Sequence, residues 1–139
     1  MSAFTAGDVK RTNLKTKIWG GAFVASAVPP VVLWTAAVPV GGRHLMVETA
    51  GTVQPVGLVS VIVAAVVACA AGMGLVTLLC RRTTKATAIW LVASPLVLLL
   101  SLLGTLNATT TTGTLTLISL HCVVGIPVIA AGRALARLG

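Results

Sequence analysis

Four stretches of this sequence carry no charged side chain and are each about as long as a bilayer is thick: Ile18 to Val40, Gly57 to Cys80, Ala88 to Leu106 and Gly113 to Ala131. At 1.5 Å per residue, about 20 helical residues cross the hydrocarbon core, where each segment must satisfy its own backbone N–H and C=O groups. Four such runs within 139 residues leave little chain for anything else. The expected fold class is all-α, an integral membrane four-helix bundle. Charged residues make up 9% of the chain, against about 25% in a soluble domain, too few to clothe a water-facing surface. The division that follows is a basic tail over residues 1–17 and a four-helix domain over residues 18–139. The tail has no apolar periodicity, so it is expected to be mobile, or at most a short helix at the headgroups. Basic residues ahead of an apolar run also mark secretory leaders, but their apolar core spans about 7–15 residues. Ile18 to Val40 is longer and carries Pro29 and Pro30 at its centre, so it reads as the first membrane helix.

The formal charge of +8 suggests nucleic acid until the basic residues are placed. Lys10, Arg11, Lys15 and Lys17 precede the first run, Arg81, Arg82 and Lys85 lie between the second and third, and Arg133 and Arg137 end the chain. If all four runs span, these nine residues lie on one side, and Arg43 alone lies on the other, with Glu48 in the same loop. Bases in short flanks set topology rather than bind nucleic acid, so no nucleic-acid partner is expected. By the positive-inside bias, the N- and C-termini are cytoplasmic and the protein is a multi-pass component of the cell membrane. The same bias argues against a small multidrug exchanger. The first run also lacks the embedded glutamate that such exchangers use. Trp19, Trp34 and Trp90 sit toward run ends, as expected of interfacial indoles.

Conventional reaction chemistry is missing. Asp8 and Glu48 are the only acids, so no carboxylate pair exists for acid–base work, and no phosphate-binding, nucleophile-elbow or zinc-protease motif occurs. The expectation is a non-enzyme with no catalytic residue, no metal and no cofactor. Cys69, Cys80 and Cys122 form no CxxC pair and read as free thiols inside apolar runs. His44 and Glu48 are four residues apart in the Gly41–Val56 loop, which is weak evidence for a metal. That loop could form a small hairpin about Ala50-Gly51, but an ordinary polar connector is the preferred reading. Asn107 opens an Asn-Ala-Thr sequon in a turn too close to the membrane to be modified readily.

Three features within the runs could carry function. His121 lies near the middle of the fourth run, where a charged side chain costs about 2.5 to 3.5 kcal/mol on insertion scales, so a neutral ring facing the bundle interior is expected. Ser26, Ser94 and Ser119 lie at similar depth as partners, and Gly125, one turn on, leaves room for a neighbouring helix. His121, Ser94 and Ser26 are therefore the candidate ligand-facing or proton-responsive residues. An interhelical hydrogen bond that fixes packing is the preferred role, because no second embedded ionisable group exists to relay a proton. Pro29, Pro30, Pro95 and Pro127 fall near mid-depth in three runs. They read as kinks rather than as the unwound breaks of transporters. Ser60, Ala64, Ala68 and Gly72 recur every four residues, a small-residue stripe that places the second helix centrally or at a subunit interface.

Leu98 to Gly104 (LLLSLLG), the threonine-rich turn, and Leu117 to Gly125 (LISLHCVVG) followed by basic residues resemble a family of small actinobacterial four-helix membrane proteins of unknown function. The resemblance spans Gly41 to Arg137, including the Val53 to Gly57 entry into the second helix. Thr105 stands where the family often has proline after the SLLG glycine. The resemblance implies architecture and cell-envelope location, and brings no activity or cofactor.

The leading functional expectation is an accessory or scaffold subunit packing against a membrane partner, either another protein or a second copy of itself. The alternative is a small transporter or channel-like module using His121 and the proline positions. A redox role for Cys69 and Cys122 is the weakest reading. Topology is directly testable: a C-terminal fusion should be active with a cytoplasmic reporter and silent with one that works only outside, and the reverse pattern would reject the assigned orientation.

Overall fold

The computed structural model describes residues 6–42, 45–49 and 51–138. Its elements are α1 (Ala6–Thr35), which passes into a π-helical turn (Ala36–Val40), a hairpin of β1 (Met46–Thr49) and β2 (Thr52–Pro55), α2 (Leu58–Arg82), α3 (Ala86–Leu103), a 3-10 turn (Gly104–Asn107) and α4 (Thr111–Ala136). All four α-helices are long and apolar enough to cross a membrane. His44 lies outside the described residues, as does the side chain of Asn107, so neither the His44–Glu48 pairing nor the sequon has a structural description.

α1 begins at Ala6 rather than near Ile18, which corrects the expectation of a separate tail. Hydropathy locates the part of a helix that suits lipid, whereas Lys, Arg and Leu in the basic stretch are good helix formers and extend the same helix beyond it. The described residues of that extension are exposed apart from half-buried Lys15. The helix also continues through Pro29 and Pro30, and α3 and α4 run unbroken through Pro95 and Pro127. Regularity is lost only at Pro39, inside the π turn. A wider turn accommodates a ring that would press on the carbonyl four residues back.

The loop after α1 is a hairpin, not an irregular connector. β1 and β2 pair antiparallel from Met46 opposite Pro55 to Thr49 opposite Thr52, and Gly51 takes φ +77°, a left-handed value that glycine adopts without steric cost. The hairpin is tied down at several points. Val56 N–H donates to Leu45 O at 2.8 Å and Thr109 N–H to Met46 O at 3.2 Å. Val47 bridges Ala108, and the Trp34 indole N–H donates to Val56 O at 3.0 Å. At this end of the bundle Leu33, Trp34, Val47 and Val56 pack on Val61, Leu117 and Leu120. α4 starts with Thr110 as its N-cap, the side chain accepting from Gly113 N–H at 3.1 Å.

α4 is the central helix, since α1, α2 and α3 all pack on it, while α3 touches α2 only sparsely. The larger core cluster lies toward the opposite end, where Met73, Val76 and Cys69 of α2 meet Trp90, Val128 and Leu135. Ile18 and Trp19 of α1, Leu79 and Cys80 of α2 and Ala131 of α4 surround it. The basic flanks of α1, α2 and α4 therefore share one end of the molecule.

Trp90 corrects another expectation. Far from lining an interface, its side chain is 2% exposed and its indole N–H donates to Ile129 O at 3.0 Å. Space for the ring comes from Gly132, where an added Cβ would stand 2.3 Å from Trp90 Cε2 and 2.4 Å from Cζ2. A fused aromatic ring cannot yield as a flexible chain end does. Gly132→Ala should therefore destabilise the bundle by about 1–3 kcal/mol, the usual cost of overpacking, and lower the melting temperature in detergent. An unchanged melting temperature would show that α3 is not seated on α4 in this way.

Candidate functional site

Between the two core clusters the helices do not close. The interior-facing residues of α2 are Val61, Ala65, Cys69, Met73 and Val76, and the stripe of Ser60, Ala64, Ala68 and Gly72 runs one residue to the side. Ser60, Ala64 and Ala68 are exposed and Gly72 is half-buried, yet all four line one cavity of about 660 Å³. Its other walls include Ser94, Val97 and Leu98 of α3 and His121, Val124 and Gly125 of α4. Because α3 leans on α4 and only lightly on α2, the cavity is a groove open to the surroundings between α2 and α3. Fully buried Pro30 of α1 also borders it.

The structure brings His121, Ser94, Gly125 and the α2 stripe to this groove. Ser26 is not among its lining residues. It is 1% exposed within α1 and donates to Ala22 O. Ser119 borders a separate cleft of about 370 Å³ between the π turn and α4.

Each glycine admits a neighbour at close range. A Cβ on Gly72 would lie 2.6 Å from Val128 Cγ1, and one on Gly125 would lie 2.7 Å from Leu98 Cδ1. Gly125 thus makes room for α3, not for a partner of the histidine.

His121 is half-buried and its Nδ1 lies 2.9 Å from Leu117 O, one turn back on its own helix. A carbonyl only accepts, so Nδ1 carries the proton in this bond. The serines expected as its partners are engaged elsewhere. Ser26 donates to Ala22 O, Ser94 to Trp90 O and Ser119 to Leu115 O, and the groove's Ser60 and Ser101 likewise donate to Gly57 O and Leu98 O, the back-bonding that lets hydroxyls sit in apolar surroundings. Among the described residues, no buried side-chain nitrogen or oxygen lacks a partner, and no three His, Cys, Asp or Glu residues stand together as a metal site. Cys69, Cys80 and Cys122 are free thiols. The groove is therefore an apolar surface with one imidazole on its wall.

The family of unknown function DUF6069 matches residues 10–137, which takes in all four membrane-length helices. The chain belongs to that family. No curated protein and no solved structure matches it. The DUF6069 match begins well before Gly41, so it covers most of α1 as well as the Leu98–Gly125 stretch.

Sequence reasoning missed Trp90 and Gly132, which hold one end of the groove together. The signal was present as Gly125, Val128 and Gly132, spaced three and four apart on one face of α4, but no pattern says that Gly125 receives Leu98 of α3 while Gly132 receives Trp90. Since His121 bonds only its own helix, His121→Leu should change stability by less than about 1 kcal/mol. A large fall in melting temperature would instead indicate an interhelical bond.

Proposed function

We propose that this protein is a non-enzymatic component of the cell membrane, with both termini cytoplasmic, that serves as an accessory or scaffold subunit by holding a partner within the bilayer at its α2–α3 face. The observation that carries this reading is the open apolar groove, where Ser60, Ala64 and Ala68 keep the α2 backbone approachable. In a bilayer, association rests on such close packing because lipid tails are as apolar as the helices. The groove hydroxyls are bonded to their own helices, which suits a packing surface better than a polar path. The shared end of the basic flanks supports the assigned orientation. The partner is a second copy of the chain or another membrane protein.

One observation favours the alternative of a small transporter or channel-like module: His121 places its imidazole on the groove wall at mid-helix. A proton-dependent flux that disappears in His121→Ala would establish it and displace the accessory reading.

The variant that tests the accessory reading is Ala68→Leu. Ala68 is exposed, so leucine enters the groove without wedging the bundle apart. Purification in mild detergent should recover a stoichiometric partner with the natural chain. Recovery should fall about tenfold with the variant, as expected for a loss of about 1.4 kcal/mol. Equal recovery from both would reject the α2–α3 face as the contact.

A further inference from the structure

We infer that the occupant of the α2–α3 groove is a second copy of the chain, two molecules meeting about a twofold axis so that each seats the Leu96, Leu100 and Leu103 ridge of its α3 in the other's groove. The inference rests on the reading of this face as the protein's contact surface and names the partner.

One molecule carries both the hollow and the shape that fills it. The α2 wall is hollow because Ser60, Ala64 and Ala68 are exposed and small. Beside the opening α3 is bulky: Leu96 is 54% exposed, Leu100 57% and Leu103 60%. Leu96 and Leu100 stand one helical turn from Ala93 and Val97 of the groove wall, so the ridge flanks the mouth. Taken out to that mouth, the space between α2 and α3 is about 1,660 Å³. From Ser60 to Leu75 the groove follows about 22 Å of helix, and a helix of that length, about 10 Å across, has a volume of roughly 1,700 Å³.

The charge bias orients every copy alike, so a twofold axis relating two copies stands along the membrane normal. The α3 of one copy then runs parallel to the other α3 and antiparallel to the α2 it meets, at its own depth. Ala68 lies fourteen residues before the end of α2 at Arg82, and Leu100 fourteen after the start of α3 at Ala86, so both stand about 21 Å from the turn. Gly72 and Leu96 are each ten residues from it. Each leucine of one copy therefore arrives level with a small residue of the other. α1 also exposes a ridge, Val24, Val28 and Val32. Seating that ridge in a groove bordered by α2 and α3 is a head-to-tail contact, which two copies do not close.

Buried area separates a second copy from an unrelated helix. A cylinder about 10 Å across and 22 Å long has about 690 Å² of side. A single foreign helix, half covered between α2 and α3, buries about 700 Å² counted on both surfaces. The twofold arrangement has three strips of about 340 Å² each, α3 on either α2 and α3 on α3. Together they bury about 1,000 Å², the size at which specific interfaces begin. A lipid tail in the groove gains little over the tails it leaves.

The test uses the purified full chain in mild detergent, its mass read by sedimentation equilibrium over a dilution series. The natural chain should be a dimer. Ala68→Leu, which fills the hollow, and Leu100→Ala, which removes the leucine that enters it, should each weaken the dimer about tenfold. The double variant again sets small against large and should return to within about threefold of the natural dimer, a coupling expected only of residues in contact. Both side chains are exposed in the single chain, so the variants leave its core untouched. In membranes under mild oxidation, Val97→Cys, beside the axis, should give a cross-linked dimer well above the natural chain, and Val24→Cys on α1 should not. A natural chain that stays monomeric, with or without retained lipid, would overturn the inference. A double variant as weak as the two losses combined would do the same, as would cross-linking through Val24→Cys as readily as through Val97→Cys. A monomer that still recovers a different membrane protein in the co-purification assay removes the second copy and leaves the accessory reading standing, whereas a monomer that recovers none removes both.

Discussion

The seat of Trp90 on α4 is the contact on which the form of the molecule depends. α3 is the most loosely held helix, with little purchase on α2, and it is fixed to α4 through an indole that donates to Ile129 O and packs where Gly132 has no side chain. Burying an indole without a partner for its N–H would be unfavourable in lipid and in protein alike. The ring is therefore held in both position and orientation. Anchoring α3 this way, with Val128 and Gly72 stacked beside the ring, sets how far its remaining length stands from α2.

The groove follows from that geometry. At one end the Trp90 cluster is closed, and at the other the hairpin, bound to the turn before α4 through Thr109 and Ala108, packs over Val61, Leu117 and Leu120. Between them α2 contributes Ala64 and Ala68, α3 contributes Ser94 and α4 contributes Gly125, side chains too small to fill the space. A void in water would be closed by the hydrophobic effect. In a bilayer the surrounding tails are equally apolar, so such an opening persists as a place where something else packs.

Much of this was legible in the sequence, for physical reasons that also set the limit. The absence of charge over four long runs dictated four spanning helices, because an ionised group at mid-depth is costly wherever the helix packs. Burial of Trp90 was not legible, since an indole suits both an interface and a core with an acceptor, and only α4 supplies the acceptor. The small-residue stripe was visible but its facing was not. One residue is about 100° of rotation on a helix, and in alanine-rich α2 the rows Ser60–Ala64–Ala68 and Val61–Ala65–Cys69 are nearly equivalent by size. The hairpin has strands of four residues each, too short for alternation to stand out from an ordinary polar loop. For His121 the sequence indicated the need for a partner, and the nearest carbonyl on its own helix met it.

The length of α1 bears on how the groove meets the membrane. From Ala6 to the end of the π turn at Val40 the helical segment runs 35 residues, about 50 Å, whereas the hydrocarbon core is about 30 Å thick. The basic part of α1 must therefore project past the hydrocarbon or the helix must tilt strongly. Lys10, Arg11, Lys15 and Lys17 then stand on the same side as Arg81, Arg82 and Lys85, with Arg133 and Arg137 near them. Such a field draws anionic lipid from the surrounding leaflet, each base near the surface contributing about 1 kcal/mol. It concentrates lipid without giving it a fixed position. The α2–α3 turn lies past the end of the groove, so Arg81, Arg82 and Lys85 stand where the opening between those helices meets the headgroups.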